Sequence, residues 1–147
     1  MKRKEGGLYA HLVEELEGAE VLREPEAAYV VGRVRDGLAM AEFQAARGLL
    51  GVTEERLAGL LGMSRATLHR RKKAGQLDRM ESDRLVRFMR LFARAVEALG
   101  GEEGARSWLA APAVAFQGEC PLDFADTEVG AREVEALLMR LEHGVFT

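Results

Sequence analysis

The sequence has one cysteine, three prolines, one tryptophan and two tyrosines in 147 residues, and each scarcity excludes something. A single thiol, Cys120, cannot close an internal disulfide. The three histidines, His11, His69 and His143, are too scattered to supply metal-ligand spacing, so no metal site is expected. With so few helix breakers (Pro25, Pro112, Pro121) against abundant Leu, Ala, Glu and Arg, helix is favoured almost throughout and strand signals are weak. No apolar run approaches the roughly 18 residues of a membrane span. Residues 1–7 are basic, but Glu14, Glu15 and Glu17 interrupt the next segment, so no secretory signal is read and a cytoplasmic location is expected. No glycine-rich phosphate loop follows a strand, and no nucleophile, base and orienting acid gather in one motif. Cys120 has no basic neighbour in sequence to lower its pKa, and Glu119 and Asp123 read as solvated loop carboxylates. An enzyme is the weakest reading, and no cofactor is implied.

The remainder is ordinary globular material with an uneven charge. Hydrophobic residues make up 48% and charged residues 31%, and this length allows one main core with a small appended module. The net charge of −3 hides a division along the chain. Residues 1–62 hold 8 basic and 11 acidic side chains, residues 63–96 hold 10 and 3 (+7), and residues 97–147 hold 3 and 10 (−7). A basic middle attracts polyanions, whereas the acidic end repels them.

Hydrophobic spacing predicts an all-α fold. A first helix is expected over 8–17, on Leu8, Leu12, Val13 and Leu16, and a second over 26–36, entered by Pro25 and ended by Gly37. A third is expected over 39–50, with Met40, Phe43, Ala46, Leu49 and Leu50 on one side. Thr53 and Ser64 are N-caps for short helices over 54–61 and 65–74, and Gly75 closes the latter behind Lys72 and Lys73. A longer helix is expected from Ser82 to about residue 99, striped by Leu85, Phe88, Met89, Phe92, Val96 and Leu99. A short helix over 102–109, a loop holding Pro112, Gly118 and Pro121, and a final helix over 128–143 complete the pattern.

Within it, residues 57–68 have the spacing of a helix-turn-helix. Ala58 lets two helices cross closely, Gly62 permits the left-handed turn, and Leu57, Leu61, Met63 and Leu68 fill the wedge. Ser64, Arg65, Ala66, His69, Arg70 and Lys73 are left on the outer face, where a recognition helix meets base edges and phosphates. Arg65 suits a guanine, and Ser64 at the helix N-terminus suits a phosphate. The competing reading is an αα-hairpin with a solvated basic face. Arg71 lends that reading some support, because it stands where such motifs carry an apolar residue and must lay its stem on the core and send its head to solvent or an acid.

From Thr67 onward a longer likeness appears. It rests on Ser64-Arg65-Ala66-Thr67-Leu68-His69-Arg70-Arg71, Glu81-Ser82-Asp83-Arg84-Leu85, Ser107-Trp108-Leu109 and Pro121-Leu122-Asp123-Phe124. It continues through Asp126-Thr127-Glu128-Val129-Gly130-Ala131-Arg132-Glu133-Val134-Glu135 and ends on Glu142-His143-Gly144-Val145-Phe146. In these stretches, within residues 37–147, the chain resembles the Xre/MbcA/ParS antitoxins, whose members pair with RES-domain toxins. The resemblance implies a homodimer bound to the operator DNA of its own promoter, and a C-terminal region that blocks a toxin consuming NAD.

The expected organisation is an N-terminal helical extension (1–36), a DNA-binding and dimerisation region (37–99) and a toxin-binding region (100–147). The apolar stripes over 39–50 and 82–99 are expected to supply part of the dimer contact. Arg132, Glu142, His143, Val145 and Phe146 are the candidate toxin contacts, with Phe146 as the aromatic anchor. Val134, Leu137, Leu138, Leu141 and Trp108 are expected in the core, and Leu122 and Phe124 as anchors of the loop. The alternative is a free-standing helix-turn-helix regulator with no toxin, and a neighbouring gene for a RES-domain protein would separate the two.

Overall fold

The computed structural model of the chain describes residues 7–10, 12 and 24–144. From residue 24 on, the described residues form eight α-helices: α1 (Glu24–Asp36), α2 (Met40–Leu50), α3 (Glu54–Leu60), α4 (Arg65–Ala74), α5 (Arg79–Leu99), α6 (Glu102–Ala110), α7 (Pro121–Phe124) and α8 (Glu128–Glu142). A 3-10 turn, Val114–Phe116, precedes α7. Among the described residues there is no strand, only an isolated bridge between Ala39 and Gln76. The fold is all-α. The helix expected over 8–17 is described only at Leu8, Tyr9, Ala10 and Leu12, where Leu8 and Leu12 are buried. Its Val13 and Leu16 lie outside the described residues.

Local chemistry sets most boundaries. Thr53 accepts the Arg56 amide at 3.1 Å, Ser64 the Thr67 amide at 3.1 Å and Thr127 the Gly130 amide at 3.0 Å, so three helices begin on a hydroxyl cap. Gly51, Gly75 and Gly100 each close a helix in the left-handed conformation.

α5 starts at Arg79 and not at Ser82. Asp78 accepts the Glu81 amide at 2.7 Å while Glu81 accepts the Asp78 amide at 3.0 Å, a reciprocal capping box that outcompetes a later serine cap. Ser82 is instead fully buried, and its hydroxyl accepts the Leu38 amide at 2.8 Å. Ser82→Ala would strand that amide in the core. It is expected to cost about 1–3 kcal/mol, read as a lower urea midpoint with an unchanged slope; an unchanged midpoint would show that the amide finds another partner.

α5 is the axis on which the rest is packed. Leu85, Phe88, Met89 and Phe92 are all buried, and α1, α2, α6 and α8 lie against this helix. Each such side chain contributes about 1.5–3 kcal/mol by leaving water. Phe43, Ala46 and Leu50 of α2 enter the same core. The buried members of the stripes over 39–50 and 82–99 are therefore consumed inside the chain, while Leu49, Val96 and Leu99 are only partly buried.

From α8, Val134 and Leu138 are buried, with Leu137 packed against the core and Leu141 half-buried. Trp108 is partly buried and packs on the core as well. The stretch over 110–127, expected as a loop, holds the 3-10 turn and α7, because Leu122 is buried and Phe124 stacks on Phe116 with ring centroids 4.6 Å apart.

Candidate functional site

α3 and α4 form a helix-turn-helix whose turn is made by Gly62 at φ 79°. Leu57, Ala58, Leu61, Met63 and Leu68 are buried in the wedge. The Met63 amide donates to the Ala58 carbonyl at 2.8 Å, which fixes the angle at which the chain enters α4. Leu68 is the buried residue of α4. The rest of that helix is held by polar bonds.

Arg71 behaves as its position demands. Its Nε donates to Glu81 at 2.7 Å and its guanidinium reaches Asp78 at 3.1 Å, so a cation at an apolar station is offset by the acids of the α5 capping box. The Glu81 bond, opposed by partial burial, holds Arg71 more firmly protonated than usual. Lys72 pairs with Glu54 of α3 at 2.9 Å, and that bond first of all lowers the Glu54 pKa. Arg71 and Lys72 thus anchor α4 to the protein itself.

The residues expected to meet DNA are placed together. Ser64, Arg65, Ala66, His69, Arg70 and Lys73 are all exposed, and their spacing puts those of α4 on one side of the helix. Ser64 uses its hydroxyl as the cap and also donates to the Thr67 hydroxyl at 3.1 Å, and Arg70 donates to Thr67 at 3.2 Å. The Arg65 side chain has no hydrogen-bond partner among the described residues. The amides of the first turn of α4, beside Arg65, make this end a place for an anion. The surface is a cationic helix face, and a major groove admits an α-helix.

At the C-terminal end, Arg132 is exposed and paired with Glu128 at 3.0 Å along α8, and Glu142 and His143 are exposed at its last turn. Arg132 stands near the start of α8, and Glu142 and His143 stand at its end. Val145 and Phe146 lie outside the described residues.

Three side chains reach farther than sequence reasoning anticipated. Arg84 donates to the Leu61 carbonyl at 2.8 Å and so braces the turn from α5. Arg106 of α6 donates to the Leu49 carbonyl at 3.0 Å, at the end of α2. Arg56 of α3 pairs with Asp123 of α7, and its guanidinium lies 3.7 Å from the Cys120 sulfur. Asp123 is therefore an ion-paired residue that stays partly exposed to solvent, and Cys120 does have a basic neighbour in space. The Arg56 bond holds the Asp123 carboxyl below its ordinary range against partial burial, and the Cys120 thiol, donating to Asp123 at 3.2 Å, adds to that shift. No local signal marks pairs 67 and 57 residues apart.

The class that these features define is an all-α helix-turn-helix domain sharing its long helix with a second, C-terminal helical module. Residues 30–90 match the antitoxin Xre-like helix-turn-helix domain, and residues 94–144 match the antitoxin Xre/MbcA/ParS C-terminal toxin-binding domain. The chain thus carries two domains characteristic of antitoxins, an Xre-like helix-turn-helix domain and an Xre/MbcA/ParS C-terminal domain. It is similar to the Antitoxin Xre of Yersinia enterocolitica, at 40% identity over 85 residues that make up 57% of each protein. The Antitoxin Xre of Photorhabdus laumondii is 33% identical over 91 residues, 61% of this chain and 60% of that relative. That of Pseudomonas putida is 40% identical over 65 residues, 44% of this chain and 40% of the relative. The matched part thus spans 40–60% of each relative's length.

Proposed function

We propose that this chain is an antitoxin that represses its own operon through α4 and neutralises a RES-domain, NAD-degrading toxin through residues 100–147, acting in the cytoplasm and binding DNA as a homodimer. The observation that carries the reading is the division of labour on α4 and α8. The exposed side of α4 presents Arg65, Arg70 and Lys73 to an anionic partner, while Arg71 and Lys72 are tied down internally. The acidic module packs along α5 through α6 and α8. Two recognition helices, one per copy, would read half-sites about 34–36 Å apart.

A cleft that holds NAD must attract a pyrophosphate and is therefore electropositive, so an acidic module is steered to it. Arg132, Glu142, His143, Val145 and Phe146 are the proposed contacts, with Phe146 filling a pocket. Deleting residues 144–147 leaves Val134 and Leu138 to seat α8, so folding and DNA binding should survive. Cells that co-express the neighbouring RES-domain protein should grow with the full chain, and should stop growing and lose NAD with the truncated one. Equal growth with both would remove the tail from the inhibitory element, and the absence of any toxin neutralised by the full chain would leave a DNA-binding regulator.

A further inference from the structure

The helix-turn-helix is gripped by the C-terminal module at two places, and both grips fall on α3 or just before it. Arg106 donates to the Leu49 carbonyl, in the last turn of α2, and its stem fills the space beside Gly51. Arg56, in the first turn of α3, is bonded to Asp123, which the Cys120 thiol also contacts at 3.2 Å. Both partners respond electrostatically: the Asp123 bond raises the Arg56 pKa as the Arg56 bond lowers that of Asp123. The opposite side of α3 carries Leu57 and Leu61, on which α4 rests, and Glu54, which holds Lys72. A continuous mechanical path therefore runs from Asp123 through Arg56 and α3 to the exposed face of α4.

We infer that Asp123 is a positioning residue for DNA reading: acting through Arg56, the C-terminal module sets the pose of α3 and hence of α4. This rests on the proposed DNA-binding role of α4. It makes occupancy of the module by a protein partner and occupancy of α4 by DNA thermodynamically linked, because each biases the same α3 position. Asp123 is acidic and stands outside the helix-turn-helix, so its contribution has a sign that direct electrostatics does not share. Removing a carboxylate from a DNA-binding protein ought to strengthen its hold on phosphates; loosening α3 ought to weaken it.

The test is Asp123→Asn in the full chain, titrated with a duplex from the region just upstream of its own gene and with a scrambled duplex of equal length. Affinity for the upstream duplex should fall by about fivefold. The slope of log K against log salt should stay unchanged, because no phosphate contact is removed. Amide hydrogen exchange over α3 should quicken. Asp126→Asn removes an exposed carboxylate in the same module and should not weaken binding. Arg106→Met, which releases the Leu49 carbonyl while keeping its stem, should quicken exchange in α3 even if Asp123→Asn proves too unstable to study. Equal or tighter binding by a folded Asp123→Asn variant would overturn the inference. If the unmodified chain does not prefer the upstream duplex, the DNA-binding reading itself fails. In that case unaltered α3 exchange in Asp123→Asn and Arg106→Met would show separately that the module does not hold α3.

Discussion

Replacing Arg65 and Arg70 together by alanine is expected to weaken binding to the upstream duplex by about 2–6 kcal/mol, at least about thirtyfold, if each arginine contributes the usual 1–3 kcal/mol of a base or phosphate contact. Both side chains are exposed on α4 and neither supports the fold: Arg65 stands in the first turn, and the Arg70 bond to Thr67 is a surface bond. The variant should therefore melt like the parent. Arg65, placed to reach a base, should relax the preference at one position. Loss of a phosphate contact such as Lys73 should instead weaken all duplexes alike and reduce the salt slope by about one. A gel shift that is unchanged in the double variant would show that the DNA-facing surface lies elsewhere. Arg71 and Lys72 are the contrasting pair, since they are as cationic but already bound to Glu81, Asp78 and Glu54. Their removal should register first in stability.

Gly130→Ala is expected to destabilise the fold strongly. A methyl group there would overlap the Phe124 carbonyl oxygen and crowd the Thr127 hydroxyl that caps α8. The obstacle on the α7 side is backbone and cannot rotate away, so α8 must lift from α7 and carry Ala131, Val134 and Leu138 partly out of the core. A cost of about 3 kcal/mol results. For a chain of this size that corresponds to a melting temperature lower by about 6–12 °C. Gly48→Ala is the opposite-sign control. Gly48 is exposed in α2 with open space around its would-be methyl, so the better helix propensity of alanine should raise stability by about 0.5–1 kcal/mol. Melting curves in which the two variants shift alike would refute the close approach at Gly130.

The sequence by itself determined the helices and the outer face of the helix-turn-helix, because the forces behind them are local. A hydroxyl at Thr53 or Ser64 caps the helix after it, Gly62 and Gly75 allow the left-handed turns, and a stripe such as that from Leu85 to Phe92 fixes which side is buried. Arg71 shows that even an apparent violation was partly legible, since a cation at an apolar station must reach solvent or an acid, and the structure supplies Glu81 and Asp78. Where local signals competed, as between Asp78 and Ser82 for the start of α5, the capping box of Asp78 and Glu81 prevails, and only the tertiary structure shows where Ser82 goes, to the amide of Leu38, 44 residues away. The apolar stripes over 39–50 and 82–99 are a related case. Periodicity reveals that a face is apolar, but not whether α6 and α8 or a second copy will cover it. The Arg56 bond to Asp123 and the contact of Gly130 with Phe124 join elements through geometry alone, and no spacing rule encodes a distance that exists only after α7 and α8 have folded back along α5.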